Sequence, residues 1–513
     1  MGPIIKQVLC SFTGLLIAGG AQAADLSIKA KALDYARTCS LYGVGFYFIP
    51  GTDTCIRLGG YLRVDSTFSG DIYDTPAWSG DLGQRNRYRD YFAVRNRMAL
   101  TVDTRTATEY GVVRTFGHGD FQFQNFGTSN PTVLTAPGVN SALLSTPGGG
   151  YVGVEMVFVQ FAGFTFGKSA SAYSTPWNGF PGNVSSSLLG SHDTVAGVNN
   201  IQYTAEFGDG LSGSIGLDDP EVFNRTDVYN LSTGLSATLN GAQAYAGTHS
   251  PDIVGRVRID QAWGLFQISA AAHLVNASYN NLAAGSAAPN ALSEISGHPN
   301  ATWGGSAMAG LSIKNIPGGV GDDIKVEVSY ANGVTKNVIG NAATSPSFAV
   351  FGGSGSSAAY QSIGFGATTD GVWLPITAGG DGRIHLTQAF GLRGAFNHNW
   401  DPYWSSSLFG SYSAVRHGGS AKASLCAVYS TPAKAVSADY VCNPDFAVSQ
   451  LGVITRWTPV RNLTFSAEAM WFHLDQKFSG TAVLAPSAPK PSTRYEFRDQ
   501  NAVSFNLRIQ RDF

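Results

Sequence analysis

Apolar and polar residues alternate along most of this chain. From Val503 to Phe513 the positions Val503, Phe505, Leu507, Ile509 and Phe513 are apolar, broken only by Arg511, while Ser504, Asn506, Arg508, Gln510 and Asp512 are polar. A period of two places such residues on opposite faces of a strand. The pattern predicts sixteen strands, near 55–68, 92–105, 107–120, 150–162, 163–169, 198–207, 210–218, 252–263, 264–275, 302–314, 322–331, 385–400, 402–415, 446–459, 461–475 and 500–513. In the first, Ile56, Leu58, Leu62, Val64 and Phe68 oppose Arg57, Tyr61, Arg63, Asp65 and Thr67. In the second, Val94, Met98, Leu100 and Val102 oppose Arg95, Arg97, Thr101 and Asp103; in the eleventh, Ile324, Val326, Val328 and Tyr330 oppose Lys325, Glu327 and Ser329. Burying that many charges in a dry interior would cost several kcal/mol each unless paired. The polar face is therefore expected to meet water, and the apolar face something other than water.

The connections alternate, short after even strands and long after odd ones. Short turns fall near Arg105-Thr106-Ala107, Ala162-Gly163, Gly208-Asp209-Gly210, Trp263-Gly264, Trp400-Asp401-Pro402 and Pro459-Val460-Arg461, with a longer one at Asn315 to Gly321. Loops rich in Gly, Ser, Ala and Asn fill the other gaps, the largest from Asn332 to Ile384. An up-and-down membrane barrel with both termini on the periplasmic side predicts this asymmetry. Met1 to Ala23 reads as an export signal: Lys6, an apolar stretch from Val8 to Ala18, then Ala21-Gln22-Ala23. The expectation is an all-β, sixteen-stranded antiparallel transmembrane barrel, which must close last strand on first because hydrocarbon cannot satisfy a free edge. Trp263, Trp400 and Trp457 lie beside short turns, where an interfacial aromatic girdle is expected.

Composition supports this and narrows the chemistry. The 513 residues include 62 glycines, 13% charged and 12% aromatic residues, too hydrophobic for disorder and too glycine-rich for a helical protein. After the signal there is no apolar run long enough for a helical span, whereas a barrel strand needs only about ten residues. No composition shift divides residues 24–513, which read as one domain: an N-terminal segment, 24–54, periplasmic or reaching into the lumen, and barrel strands and loops over 55–513. The net charge of -2 argues against a nucleic-acid partner. Cys10 lies in the signal; Cys39 with Cys55, and Cys426 with Cys442, are each sixteen positions apart, suggesting two local disulfides in an oxidising compartment, with free thiols as the alternative. The nine histidines never pair at metal-ligand spacing, and Gly352-Gly353-Ser354-Gly355 lacks the Lys-Ser or Lys-Thr of a phosphate loop. Neither enzyme activity nor a metal or cofactor is expected.

Two features stand out on the polar face. Arg508 on the last strand, Arg57 and Arg63 on the first and Arg95 and Arg97 on the second become neighbours on closure and predict a basic arc on one wall, with Arg114 extending it. The segment Ala170 to Gly197 carries Tyr173, Pro176, Trp177, Phe180 and Pro181 with a single acid, Asp193. That aromatic density predicts an inward fold that narrows the channel opposite the arginines, the alternative being a lid or subunit contact. Phe505 and Phe513 mark the terminal strand as the membrane-insertion strand.

Asp34-Tyr35-Ala36-Arg37 with Cys39, the run Tyr42 to Cys55, and Leu58-Gly59-Gly60-Tyr61-Leu62-Arg63 together resemble the mature N-terminus of alphaproteobacterial general porins of the rhizobial and brucella type. Val159 to Lys168 is similar to that family's lead into its constriction loop, and Phe513 fits its C-terminus; between Gly210 and Gln450 the match is mainly one of pattern. The resemblance implies a sixteen-stranded homotrimeric outer-membrane porin, passive diffusion of small hydrophilic solutes and ions, a constriction loop facing basic wall residues, and a Cys39–Cys55 pair. Family members commonly place several carboxylates on that loop; Asp193 alone stands here, so the expectation is a mildly anion-preferring pore. A substrate-specific channel, with Tyr173, Trp177 and Phe180 stacking on sugar rings, is the rival reading, and an adhesive role for the outer loops a third.

Overall fold

The computed structural model describes residues 37–68, 92–124, 151–184, 187–221, 225–235, 241, 243–281, 295, 297–340, 347–429, 435–486 and 490–513. The export signal and residues 24–36 lie outside them. Sixteen strands follow the alternating segments: β1 Thr54–Phe68, β2 Phe92–Thr108, β3 Gly111–Gln124, β4 Tyr151–Phe161, β5 Phe164–Ser169, β6 Val198–Gly208, β7 Leu211–Asp218, β8 Asp252–Gln261, β9 Gly264–Val275, β10 Thr302–Lys314, β11 Asp323–Asn332, β12 Gln388–Asn399, β13 Trp404–Arg416, β14 Phe446–Val460, β15 Leu463–Gln476 and β16 Gln500–Asp512. Each pairs antiparallel with the next, and β16 returns to β1 with Tyr61 opposite Asp512 and Phe68 opposite Phe505, closing the barrel. A two-residue strand, Tyr47–Phe48, adds to the start of β1.

The outer surface is apolar: Leu58, Leu62, Val257, Ile268, Leu392, Leu451, Val503, Phe505, Leu507 and Ile509 are all exposed there. Trp263, Trp400, Trp404 and Trp457 crowd the short-turn end, Trp404 and Trp457 stacking at 5.8 Å. A second set, Trp303, Tyr330, Phe390 and Trp471, is exposed toward the long-loop end. Two amphipathic bands flanking an aliphatic one match a hydrocarbon slab. Gly210 shows how tightly the short turns are drawn: at φ +74° it packs so close that a Cβ would lie 1.9 Å from the Asp260 carbonyl oxygen.

One expectation needs correction, and one feature was not foreseen. The first short turn lies later than the sequence pattern placed it: β2 runs through Arg105, Thr106 and Ala107 to Thr108, and the chain reverses at Glu109-Tyr110. The Thr residues at 104, 106 and 108 keep β-branched side chains on the strand, and Gly111, at φ +120°, relieves the reversal. More importantly, the long loops are folded. Phe348–Gly352 pairs with Gln361–Gly366, which runs parallel to Thr493–Phe497, itself paired with Thr481–Leu484. Thr369–Trp373 lies between Asp227–Asn230 and His385–Leu386. With the helix Gly419–Tyr429 these pieces enclose a core of Tyr229, Phe351, Phe365, Leu425, Tyr429, Phe478 and Tyr495, forming a cap over the long-loop end. A disulfide, Cys426–Cys442, ties the helix to the chain entering β14.

The inner surface also departs from a uniformly wet face. Ala331, Ala389, Val415, Phe446, Val448, Phe472 and Leu474 project inward from β11 to β15 and pack on Leu189, Val334, Val338, Ile339, Phe348 and Val350. Part of the barrel interior is therefore dry core, built by chain that re-enters after β5 and β11.

Candidate functional site: the barrel interior

The segment after β5 folds into the barrel, and the wall supplies the partners for its backbone. Gln267 Nε2 donates to the Ser174 carbonyl at 2.8 Å, Arg258 Nη1 to that of Pro176 at 2.9 Å, and Asn397 Nδ2 to that of Pro181 at 3.1 Å. Gln450 donates to the Ser187 carbonyl at 2.7 Å and accepts from Leu189 N at 2.8 Å, while Arg456 donates to the carbonyl of Gly182. At the centre, Arg393 pairs with Glu327 across β12 and β11, where the two residues stand opposite in register. Arg393 also donates to the carbonyls of Leu188, at 3.0 Å, and Gly179, at 3.4 Å, and Glu327 accepts from Thr175 Oγ1 at 2.6 Å. Both charged side chains are fully buried, so each depends on the other for solvation. Arg393 was missed in the sequence; Glu327 lay on a polar face, and its opposite neighbour in register was the available signal.

The four residues singled out on this loop separate by depth. Tyr173 and Asp193 are buried against the wall, Tyr173 packing on Ala172, Val254, Ala271 and Met308. Trp177 and Phe180 are partly exposed, with Arg393 5.8 Å from the Phe180 ring centroid, and Asn178 and Val195 reach solvent. Asp193 does not stand alone: Lys336, on the segment re-entering after β11, interacts electrostatically with it and with Asp370. Burial pushes the Lys336 ammonium down to about 7.

The basic arc is present as a place, and carboxylates are interleaved in it. Arg95 and Arg508 both hold Asp65, at 2.7 and 2.6 Å. Arg97 reaches Asp120 at 2.7 Å and Glu155 at 3.3 Å. Arg57, Arg105 and Arg114 converge on Asp103 at 3.6, 3.3 and 3.0 Å. Arg63 donates to Gln510 at 3.0 Å and lies over the Tyr61 ring. Seven guanidiniums thus face four carboxylates in these clusters, and Asp512, on the same face of β16 as Arg508 and accepting from Gln510 at 2.8 Å, leaves a surplus of two positive charges. Accessibility is uneven: the Arg95 and Arg508 side chains are 2% and 6% exposed, whereas Arg57, Arg105 and Arg114, at the short-turn end, are 47%, 28% and 27% exposed. Arg105 was missed because the sequence pattern placed it in a turn.

The N-terminal hairpin packs at this end. Cys39 and Cys55 form a disulfide, and Phe46 is buried beside them. The segment 37–50 therefore folds back on the polar face of β1, against Arg57 and Arg105. Among the described residues no group of three or more His, Cys, Asp or Glu side chains is placed to hold a metal ion.

A closed antiparallel barrel, greasy outside, charged inside and narrowed by a re-entrant loop, is the architecture of a membrane channel. A family model described as the porin subfamily matches residues 25–506, and the chain belongs to that family. It is 31% identical over 268 residues to porin Omp2b of Brucella suis, covering 51% of this chain and 64% of that protein. It is 30% identical over 269 residues to porin Omp2b of Brucella abortus strain 2308, covering 51% and 63%. The alignments thus span less than two thirds of either relative. Among solved structures, the outer membrane channel DcaP of Acinetobacter baumannii shares the fold at 12% identity, with a TM-score of 0.54 over 91% of this chain and 99% of that one.

Proposed function

We propose that the protein sits in a bacterial outer membrane and forms a water-filled channel for passive diffusion of small hydrophilic solutes and ions, with a mild preference for anions. The observation that carries this is the reversal of polarity across the barrel wall. Side chains facing out are aliphatic or aromatic, those facing in along β16 and β1 to β4 are charged, and the loop after β5 narrows what lies between. The surplus of two guanidiniums over carboxylates on the described part of that wall supports anion preference, and their pairing keeps the preference mild. The residues assigned to the pore wall are Arg57, Arg63, Arg95, Arg97, Arg114 and Arg508, and the loop bearing Tyr173, Trp177, Phe180 and Asp193 forms the constriction. No catalytic role is assigned.

Single-channel reversal potentials of the purified protein in a salt gradient test the selectivity; clear cation selectivity overturns it, and an electrically silent bilayer overturns the channel itself. The solute-specific reading keeps one support, the partial exposure of Trp177 and Phe180 on the loop edge. Liposome swelling across sugars of rising size separates the two, a general pore sorting by size and a specific one saturating with one class. Assembly as a homotrimer follows from the family resemblance, and a cross-linked species of three chains in detergent is its test.

A further inference from the structure

At the short-turn end of the interior, away from the re-entrant loop, aromatic rings and guanidiniums form a stacked patch. Phe46, carried in by the disulfide-closed hairpin, lies under both Arg57 and Arg105, each 5.0 Å from its ring centroid. On β3 and β4, Phe116 and Phe158 stack at 5.2 Å, with Arg114 5.2 and 5.5 Å from their centroids. All three guanidiniums turn toward the carboxylate of Asp103, which is 2% exposed. Arg114 grips it with Nε at 3.0 Å and Nη2 at 3.1 Å, Arg105 with Nε at 3.4 Å and Nη2 at 3.3 Å, and Arg57 Nη2 lies 3.6 Å from it. Asp103 therefore leaves a charge surplus of two on this patch, with Arg57 about half exposed.

We propose that this patch is a binding station for small aryl carboxylates at the channel's short-turn mouth. Access through the lumen rests on the channel reading, while the recognition rests on the patch itself. A guanidinium whose one face lies on a ring can accept a second planar group on the other, and its edge donates in the fork geometry that suits a carboxylate. Arg57, about half exposed, presents both the face and the edge. An aliphatic carboxylate finds only the charge and a neutral arene only the stacking surface; an aryl carboxylate uses both. The alternative is that the cluster serves only to hold the hairpin on the wall.

The test is binding of benzoate, acetate and benzyl alcohol to the purified full chain in detergent, followed by saturation-transfer NMR. Benzoate is expected to bind about tenfold tighter than either probe, a factor between those of a fully exposed and a desolvated cation–π contact, as suits the half-exposed Arg57. Arg57→Gln should remove most of that affinity, and Arg57→Lys, which keeps the charge without the plane, should bring benzoate down to the level of acetate. Arg105→Gln gives a second reading independent of position 57. Equal affinity for the three probes, or benzoate binding unchanged in both Arg→Gln variants, overturns the proposal. Because the readout needs no current, a protein that conducts without discriminating keeps the channel and loses the station, and one that discriminates without conducting does the reverse.

Discussion

Replacing Arg393 by Met should loosen the re-entrant loop without unfolding the barrel. Met preserves most of the side chain's length and removes its charge and donors. Glu327 would then keep only the Thr175 hydroxyl in a site with no solvent exposure. Breaking a buried pair by removing one partner costs about 3–5 kcal/mol. The carbonyls of Leu188 and Gly179 also lose their donor, each nominally worth about 1–3 kcal/mol, but these losses overlap with the first because the groups share one site. A figure of about 4 kcal/mol is reasonable, and it corresponds to roughly a thousandfold change in an equilibrium constant.

Where that penalty falls decides the phenotype. β11 and β12 stay joined by their backbone ladder from Asp323 opposite Asn397 to Asn332 opposite Gln388, none of which uses the Arg393 side chain. The loop loses its central clamp, so the loop is what shifts. Single-channel recordings should show larger and noisier conductance, and liposome swelling should admit larger sugars, while the heat-modifiable gel mobility of the folded barrel is unchanged. The double replacement Arg393→Met with Glu327→Met removes the stranded charge and should recover most of the wild-type exclusion limit. Wild-type conductance and exclusion limit in the correctly inserted single variant would refute the reasoning, as would a double variant as disturbed as the single.

Three further outcomes follow from other parts of the molecule. Because burial lowers Lys336 to about 7 from the ordinary 10.5, the unfolded chain holds a proton between those values that the folded chain lacks, and stability should rise with pH across that window; Lys336→Met should flatten the rise, with its gain over wild type largest at or below pH 7, read from thermal unfolding in detergent at pH 6 and pH 10. Removing the cap disulfide with Cys426→Ser and Cys442→Ser should cost the cap up to about 3 kcal/mol, speeding protease cleavage around the helix Gly419–Tyr429 while leaving barrel mobility on gels intact. Deleting Phe513, whose backbone exchanges two hydrogen bonds with Gly60 at 3.0 and 3.2 Å, should slow appearance of the heat-modifiable form in a pulse-chase; an unchanged rate would argue against the terminal strand as the insertion strand.

The barrel strands were legible because their signal is local. Period-two alternation needs only neighbouring residues, and it placed the strand ends within a few positions. The cap was not legible, for the same reason inverted: Phe348–Gly352 is an apolar run without alternation, and the partner of Gln361–Ile363 is Tyr495–Phe497, more than a hundred residues away. Nothing within a short window announces such a pairing. The dry part of the interior was hidden differently. In β14, Phe446 and Val448 share the inward parity of Gln450 while Ala447 and Leu451 lie on the other face beside Ser449, so alternation there does not say which face is covered. The arginine wall was half legible, since Asp65 and Asp103 stood in the same alternating faces as the arginines that they neutralise; Asp120 and Glu155 lie beside a register shift at His118 and Gly119, which moves a residue out of phase.

An arginine's strand decides what it can do. On β8, β12 and β14, Arg258, Arg393 and Arg456 each donate to a carbonyl of the re-entrant loop, and Gln267, Asn397 and Gln450 do the same. Irregular backbone brought inside a barrel has no ladder to satisfy it, so long polar side chains from the wall must supply the missing donors. On β16 and β1 to β3, carboxylates hold the arginines of the Asp65 and Asp103 clusters. Those pairs balance charge only in part, and they leave guanidinium edges accessible at the short-turn end. A substitution on the first group should therefore alter the size of the aperture, and one on the second its preference for ions of one sign, which is a separation that conductance and reversal potential measure independently.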